Sequence, residues 1–332
     1  MPEPGIYGWS PGTGGVHWYR MAEPLRAAGL AGIRTDSGVR LDDELAERFD
    51  TVLVHMIHDE RSSEAWEKLA TNGQHRMVFD IDDVMWDPDW EPFARHYTPE
   101  RIARIWRNIQ LAHVVTTPSV VIAETVARVN PNVYVCPNTV PEWLLSWSMP
   151  VRPGSAFGAR HVIGYQGSPS HTTDFPPKLV RNLVRVIRRS RGWSLHFWGA
   201  APEVTELIPG RVGMTPWADS VPDYYRSLSM DIGIGPLAAT TFNAGKSALR
   251  VVEYAALGIP AVVSSGPPYD GWVSHGLSGF LVAPGESWFD PLIELVARPE
   301  LREQMGTYAR ELAAAWTTEA GIGAWLAAWN SA

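Results

Sequence analysis

The sequence predicts an α/β protein of two domains, each built on a parallel sheet, and three observations predict it. Short apolar runs alternate with helical patterns almost throughout, which is the signature of βαβ units. The 332 residues are enough for two domains of roughly 100–200 residues each. Near the middle, Ser148–Gly158 (SMPVRPGSAFG) is rich in Pro, Gly and Ser and reads as a linker. The expected boundaries are 1–150 for a first Rossmann-like domain, 158–310 for a second, and 311–332 for a C-terminal helix packing back on the first.

In the first half the expected strands are Thr51–His55, Arg76–Ile81, His113–Thr116 and Val133–Cys136. Helical patterns cover His17–Ala28 and Pro99–Ala112; in the latter, Ile102, Ile105, Ile109 and Ala112 fall on one face. In the second half, strands at His161–Tyr165, Ser194–Trp198, Asp231–Gly235, Ala261–Ser264 and Gly279–Val282 alternate with helices. Those helices are Pro177–Arg189, Val221–Leu228, Ser247–Leu257, Trp288–Ala297 and Pro299–Ala315. Ligands of such sheets sit at the carboxyl ends of the strands, and two sheets facing across a cleft are the expected arrangement.

Composition narrows the function. Hydrophobic residues at 45% and charged residues at 19% describe a globular chain, not a disordered one. A net charge of −8 gives no global attraction to nucleic acid or anionic membrane. Cys136 is the single cysteine, so neither an intrachain disulfide nor a multi-thiolate metal site is expected. With no signal-peptide pattern in MPEPGIYGW and no apolar run of about 18 residues, the expectation is a cytoplasmic protein without an integral membrane segment.

The chemistry concentrates in Asp231–Pro260, DIGIGPLAATTFNAGKSALRVVEYAALGIP. A strand ends at Gly235, a loop carries Asn243, Gly245 and Lys246, and Ser247 is placed to cap the following helix. Helix-start amides attract anions, Gly245 allows close backbone approach, and Lys246 adds a full charge, a combination suited to a diphosphate. Glu253, two turns along, is a carboxylate for a ribose diol. Taken singly, Lys246 and Glu253 also read as solvated helix residues.

FNAGKSALRVVEYAALGIPAVVSSGPPY resembles the C-terminal donor-binding motif of GT-B glycosyltransferases, in the retaining group that includes the mannosyl- and glucosyltransferases of family four. Ile163–Phe175, Trp217–Leu228, Asp231–Leu237 and Gly276–Val282 are similar to the same family in order and separation. The resemblance is strong over Ile163–Val282 and loose before it. It implies a GT-B fold and retaining, metal-independent transfer of a hexose-type sugar from a nucleoside diphosphate sugar, with that co-substrate in place of any cofactor. Glu253 matches the second glutamate of the family's paired signature; Gly245 stands where the first would be, and Asn243 and Lys246 take over part of its role, as in an FN-x-x-KS variant.

The resemblance also places the loop Gly167-Ser168-Pro169-Ser170-His171 beside the donor phosphates, with Asp174 orienting His171. Gly14 and Gly15 belong to a glycine-rich turn similar to the family's phosphate or acceptor loop. Asp80 and Asp82 of Asp80-Ile81-Asp82-Asp83 are expected on one strand face, where they either bind the acceptor, Asp82 above all, or cap and order the loop, with no metal bound. His55 and His58 flank another strand end, and Trp217 either borders the nucleobase or packs in the core. The acceptor stays open between glycan, lipid, small molecule and modified nucleic acid. Three other classes also stay open: an epimerase or phosphorylase, a silent nucleotide-sugar-binding module, and an enzyme acting on a modified DNA base. The last draws on the basic stripe Lys178, Arg181, Arg185 and Arg188, a spacing that usually marks a solvated face and can also meet a phosphate backbone or lipid headgroups.

Overall fold

The computed structural model describes residues 3–12, 14–39, 48–86, 96–147, 161–200 and 207–331. The Ser148–Gly158 tract and Thr13 of the glycine-rich turn lie outside these residues. The chain divides into two compact units, Met1–Pro141 with Ala244–Ser247 and Thr317–Ala332, and Glu142–Asn243 with Ala248–Trp316.

The first unit holds six parallel strands, β1 (Glu3–Trp9), β2 (Thr35–Gly38), β3 (Phe49–His55), β4 (Arg76–Asp80), β5 (Val114–Thr117) and β6 (Val133–Val135), in the order β2-β1-β3-β4-β5-β6. Strands β3, β4 and β5 are almost wholly buried, which explains their unbroken apolar spelling. Helix Glu60–Asn72 starts where the Asp59 carboxylate accepts from the Ser62 amide and stops at Gly73, whose φ of 66° suits glycine. Thr98 caps Pro99–Leu111 in the same way. After β1 the helical run from Gly15 to Leu30 contains a π turn at Trp18–Ala22, a rare feature found mostly at functional sites. The C-terminal helix Thr318–Asn330 inserts Trp325, Ala328 and Trp329 into a core with Ile6, Met21, Leu53 and Val114. Cys136 is buried in that core, and burial pushes its thiol up to about 12, far from a reactive thiolate.

The second unit is also a six-stranded parallel sheet: β7 (His161–Gly167), β8 (Trp193–Gly199), β9 (Val212–Thr215), β10 (Ile232–Gly235), β11 (Ala261–Ser264) and β12 (Gly279–Val282). Their order, β12-β11-β10-β7-β8-β9, is that of a dinucleotide-binding Rossmann sheet. It reverses direction between β7 and β10, which pair side by side at Ile163 and Ile232. Helix Pro177–Arg189 buries Leu179, Leu183, Val186 and Ile187 against this sheet, as its 3.6-residue spacing requires.

Two local expectations are corrected. The helix carrying Glu253 starts at Leu249 with Ala248 at its N-cap, so Ser247 is not the cap. Its hydroxyl instead accepts from Asn138 Nδ2 at 2.9 Å, and this partner outside the helix holds Ser247 away from a capping position. Likewise β4 ends at Asp80, so Asp82 lies beyond the strand and does not share a strand face with it. Among the described residues no helix is long and apolar enough to cross a membrane.

Candidate active site

In an open α/β sheet the chain leaves neighbouring strands in opposite directions at the point of reversal, opening a crevice at their carboxyl ends. In the second unit the loops after β7 and β10 meet there, and Asp174 ties them. It closes the 3-10 turn Pro169–Asp174 and is only 2% exposed. Its Oδ2 pairs with His171 Nδ1 at 2.8 Å, while Oδ1 accepts from the Ala238 amide at 2.8 Å and from Asn243 Nδ2 at 2.7 Å. Asn243 Nδ2 also donates to the Ala238 carbonyl at 3.0 Å. The structure therefore brings His171 and Asn243 together through Asp174. Asn243 is buried and acts through its neighbours, whereas the His171 side chain is 13% exposed at the rim.

Gly167 ends β7 directly before this turn. A Cβ there would sit 2.4 Å from the Tyr165 hydroxyl, so glycine is required for packing. Paired with it is Gly199, whose φ of 94° favours glycine. The Trp217 ring lies where a Gly199 Cβ would be, and Trp217 is 57% exposed. Of the two readings of Trp217, core packing is excluded; it is an exposed aromatic platform beside the end of β8.

Glu253 forms a neighbouring cluster. Its carboxylate is buried and accepts from Gln166 Nε2 at 3.0 Å, Tyr224 OH at 3.1 Å and Tyr225 OH at 3.2 Å. Burial and then the Glu253 charge hold the Tyr224 phenol well above its ordinary pKa, so it remains a donor. Gln166 immediately precedes Gly167, which links this cluster to the β7 turn. Sequence reading missed Arg250 in the same helix. It is buried, donates to Tyr269 OH at 2.7 Å and to the Gln166 carbonyl at 3.2 Å, and lies 4.9 Å above the Tyr165 ring. A guanidinium held charged beneath the crevice adds positive potential there; its place in FNAGKSALR was the available signal.

Lys246 and Ser247 belong to the first unit. Lys246 Nζ donates to Asp83 Oδ1 at 2.6 Å, and Ser247 is held by Asn138, both contacts belonging to the first unit.

The carboxyl edge of the first sheet carries its own cluster. Asp80 is fully buried and takes a two-pronged ion pair from Arg20, Nη2 to Oδ1 at 2.6 Å and Nε to Oδ2 at 3.0 Å. Burial opposes its charge, but Arg20 and His55 outweigh it and hold the carboxyl at about 2. Asp80 is thus a structural anion, which removes it from the acceptor role considered for it. His55 sits between two carboxylates, with Nδ1 2.8 Å from Asp80 Oδ2 and Nε2 3.5 Å from Asp82 Oδ1. Burial disfavours its cation, yet Asp82 and Asp80 raise its pKa above the ordinary value. Burial first, and the Asp83 charge second, push Asp82 up to about 6. Asp82 Oδ1, His17 Nδ1 and His58 Nδ1 are buried polar atoms without a hydrogen-bond partner. Met56, next to His55, has φ 44°, a strained value for a residue with a Cβ and one that concentrates at functional sites. Gly14 caps the helical run after β1, and a Cβ on it would meet nothing within 4 Å; Gly15 opens the same run and is nearly as free.

Residues 217–312 match the family model described as glycosyl transferases group 1. Curated protein sequences give no match. The fold is GT-B: the chain is similar to a sucrose-phosphate synthase from Thermosynechococcus elongatus, at 14% identity and TM-score 0.66, covering 96% of each chain. It is similar to HepE from Anabaena, solved in complex with UDP and glucose, at 13% identity and TM-score 0.67, covering 97% of this chain and 98% of that one. It is also similar to WaaG, a glycosyltransferase involved in lipopolysaccharide biosynthesis, at 12% identity and TM-score 0.66, covering 98% and 100%.

Proposed function

We propose that this protein transfers a hexose-type sugar from a nucleoside diphosphate sugar to a hydroxyl acceptor, with retention of configuration and without a metal ion. The observation that carries the reading is the Asp174 junction, which ties His171 and Asn243 into the crevice where the second sheet reverses. It lies beside and within the segment matching the glycosyltransferase group 1 family.

In this reading the second unit holds the donor. Glu253 faces the ribose, with Tyr224 and Tyr225 fixing its carboxylate, and Trp217 offers its exposed face to the base. The Gly167–Ser168 loop and His171 receive the phosphates. Lys246 and the backbone around Gly245 and Ser247 are assigned to the diphosphate on the resemblance of their motif to the donor-binding motif. Preorganised donors and cations of this kind stabilise charge as the leaving group departs, while the acceptor oxygen attacks from the same face. In the first unit Asp82, Gly14 and Gly15 serve the acceptor side.

Isothermal titration with a panel of nucleoside diphosphates, UDP first, tests the donor site. At 100 times its dissociation constant a ligand stabilises the fold by about 2.7 kcal/mol, which thermal melting detects readily. Binding by wild type that Glu253→Gln loses supports the assignment; no binding of any nucleotide by folded protein refutes it. Gly245, at the position of the family's first glutamate, favours a second reading as a silent nucleotide-sugar-binding module. Release of free sugar or a glycosylated product from a bound donor rules that reading out.

A further inference from the structure

Helix Pro177–Arg189 contains no acidic residue, and its apolar face is spent on the core. Its outer side carries Arg181, Arg185, Arg188 and Arg189 around an open cavity of about 430 Å³, floored by Val184 and Leu207. The helix ends where the chain turns into β8, so the cavity lies toward the amino edge of the sheet, away from the Asp174 junction.

Three of the guanidinium groups are held in place by contacts other than carboxylates among the described residues. Arg185 lies 3.9 Å and Arg189 5.3 Å above the centroid of the Phe289 ring, and Arg188 Nη2 donates to the Leu207 carbonyl at 3.0 Å. Among the described residues none of the four arginines forms a salt bridge with a carboxylate. On the packed helix Phe289–Ala297, Glu294 pairs with Arg298 at 2.9 Å and Asp290 is exposed. Four like charges on one groove repel each other, and in a chain of net charge −8 this local excess is a structural choice. Arginine forks match phosphate oxygens two at a time, and stacking on an aromatic ring pre-pays their ordering.

We propose that this groove binds a phosphate-ester anion, at a site separate from the carboxyl-edge crevice. A soluble phosphate ester and a phospholipid headgroup present the same chemistry to it. The test compares wild type with Arg181→Gln/Arg185→Gln/Arg188→Gln, which keeps the polar surface and much of the side-chain length. Both are titrated calorimetrically with inorganic pyrophosphate at low salt, and sedimented with phosphatidylcholine vesicles containing or lacking phosphatidic acid. Each basic side chain near an anionic surface contributes roughly fivefold in affinity, so the variant should bind about a hundredfold more weakly. Pyrophosphate binding that the variant loses assigns a soluble ester, and loss of phosphatidate-dependent sedimentation assigns a lipid headgroup. Absence of binding to every probe overturns the proposal, as does a folded variant that binds like wild type, since pyrophosphate would then be held only at the carboxyl edge.

Discussion

Asp174 offers the sharpest test of how the candidate site is built. Truncation to Ala removes the acceptor for the Ala238 amide, for one contact of Asn243 Nδ2 and for His171 Nδ1, all at 2.7–2.8 Å. Hydrogen bonds to a charged acceptor contribute about 1.5–3 kcal/mol each. Asn243 keeps the Ala238 carbonyl, and His171 at the rim regains water, so the full sum is not expected. We expect Asp174→Ala to lose about 3–5 kcal/mol in equilibrium urea unfolding, the range for breaking a buried charged network. Asp174→Asn is different. Its oxygen can still serve Ala238 and Asn243, while its amide donates to His171 Nδ1 and forces the ring proton onto Nε2, at a cost nearer 1 kcal/mol. The functional consequence follows from the tautomer. With Nδ1–H given to Asp174, His171 donates from Nε2 to a phosphate only as imidazolium, so diphosphate binding takes up a proton. Affinity in wild type should therefore fall as pH rises, by at most about tenfold per unit. In Asp174→Asn the neutral ring already donates from Nε2 and the slope should flatten. Titrations of UDP from pH 5.5 to 8.5 decide the matter: an Asp174→Asn slope equal to wild type, or an Asp174→Ala protein as stable as wild type, would refute the reasoning.

Three further outcomes are expected. Glu253→Ala should destabilise by about 3 kcal/mol or more, because it strands three buried donors, whereas Glu253→Gln should stay within about 2 kcal/mol of wild type; parallel urea melts check this. Asp82 is raised from the ordinary carboxylate value to about 6, so the folded state holds the extra proton between those values and its stability falls as pH rises through that window. Asp82→Asn should accordingly gain stability relative to wild type at pH 7.5 compared with pH 4, Asp82 itself contributing at most about 3 kcal/mol, and pH-dependent melting measures the difference. The raised His55 of the wild type also loses stability as pH rises, and because the variant removes the Asp82 partner that raises it, this loss shrinks and adds to the gain. Gly199→Ala should cost about 1–3 kcal/mol, since φ 94° strains any Cβ and that Cβ would sit 2.5 Å from the Gly167 carbonyl oxygen and 2.6 Å from the Trp217 ring; Trp217→Ala in the same background should recover only the share due to the ring.

Much of the fold was legible because it is written in local physics. Buried parallel strands must be apolar along their whole length, so Thr51–His55, Arg76–Asp80 and Ala261–Ser264 announce themselves. The strand β2, spelled TDSG, could not be read: it is an edge strand whose register, Ile6 against Thr35, comes from β1 and not from its own propensity. Helix Glu60–Asn72 was not read, because it lacks a strong apolar stripe: Ser63, Trp66 and Leu69 alone are buried, and only Asp59 and Gly73 mark its ends.

The candidate site divides along the same line. Sequence by itself determined the alternation of strand and helix, and it located Gly167, His171, Asn243 and Glu253 in loops and helix starts after strands, because glycine, caps and apolar runs act over a few residues. Tertiary structure alone decided that Asp174 joins His171 to Asn243, that Ser247 answers to Asn138, and that Asp80 belongs to Arg20 while Asp82 is left near His55. These partners stand from 60 to 109 residues apart in the cases of Arg20 and Asn138, and 69 for Asp174 with Asn243. Which polar group satisfies a buried carboxylate depends on which strands lie side by side, and that is fixed by the packing of the whole sheet.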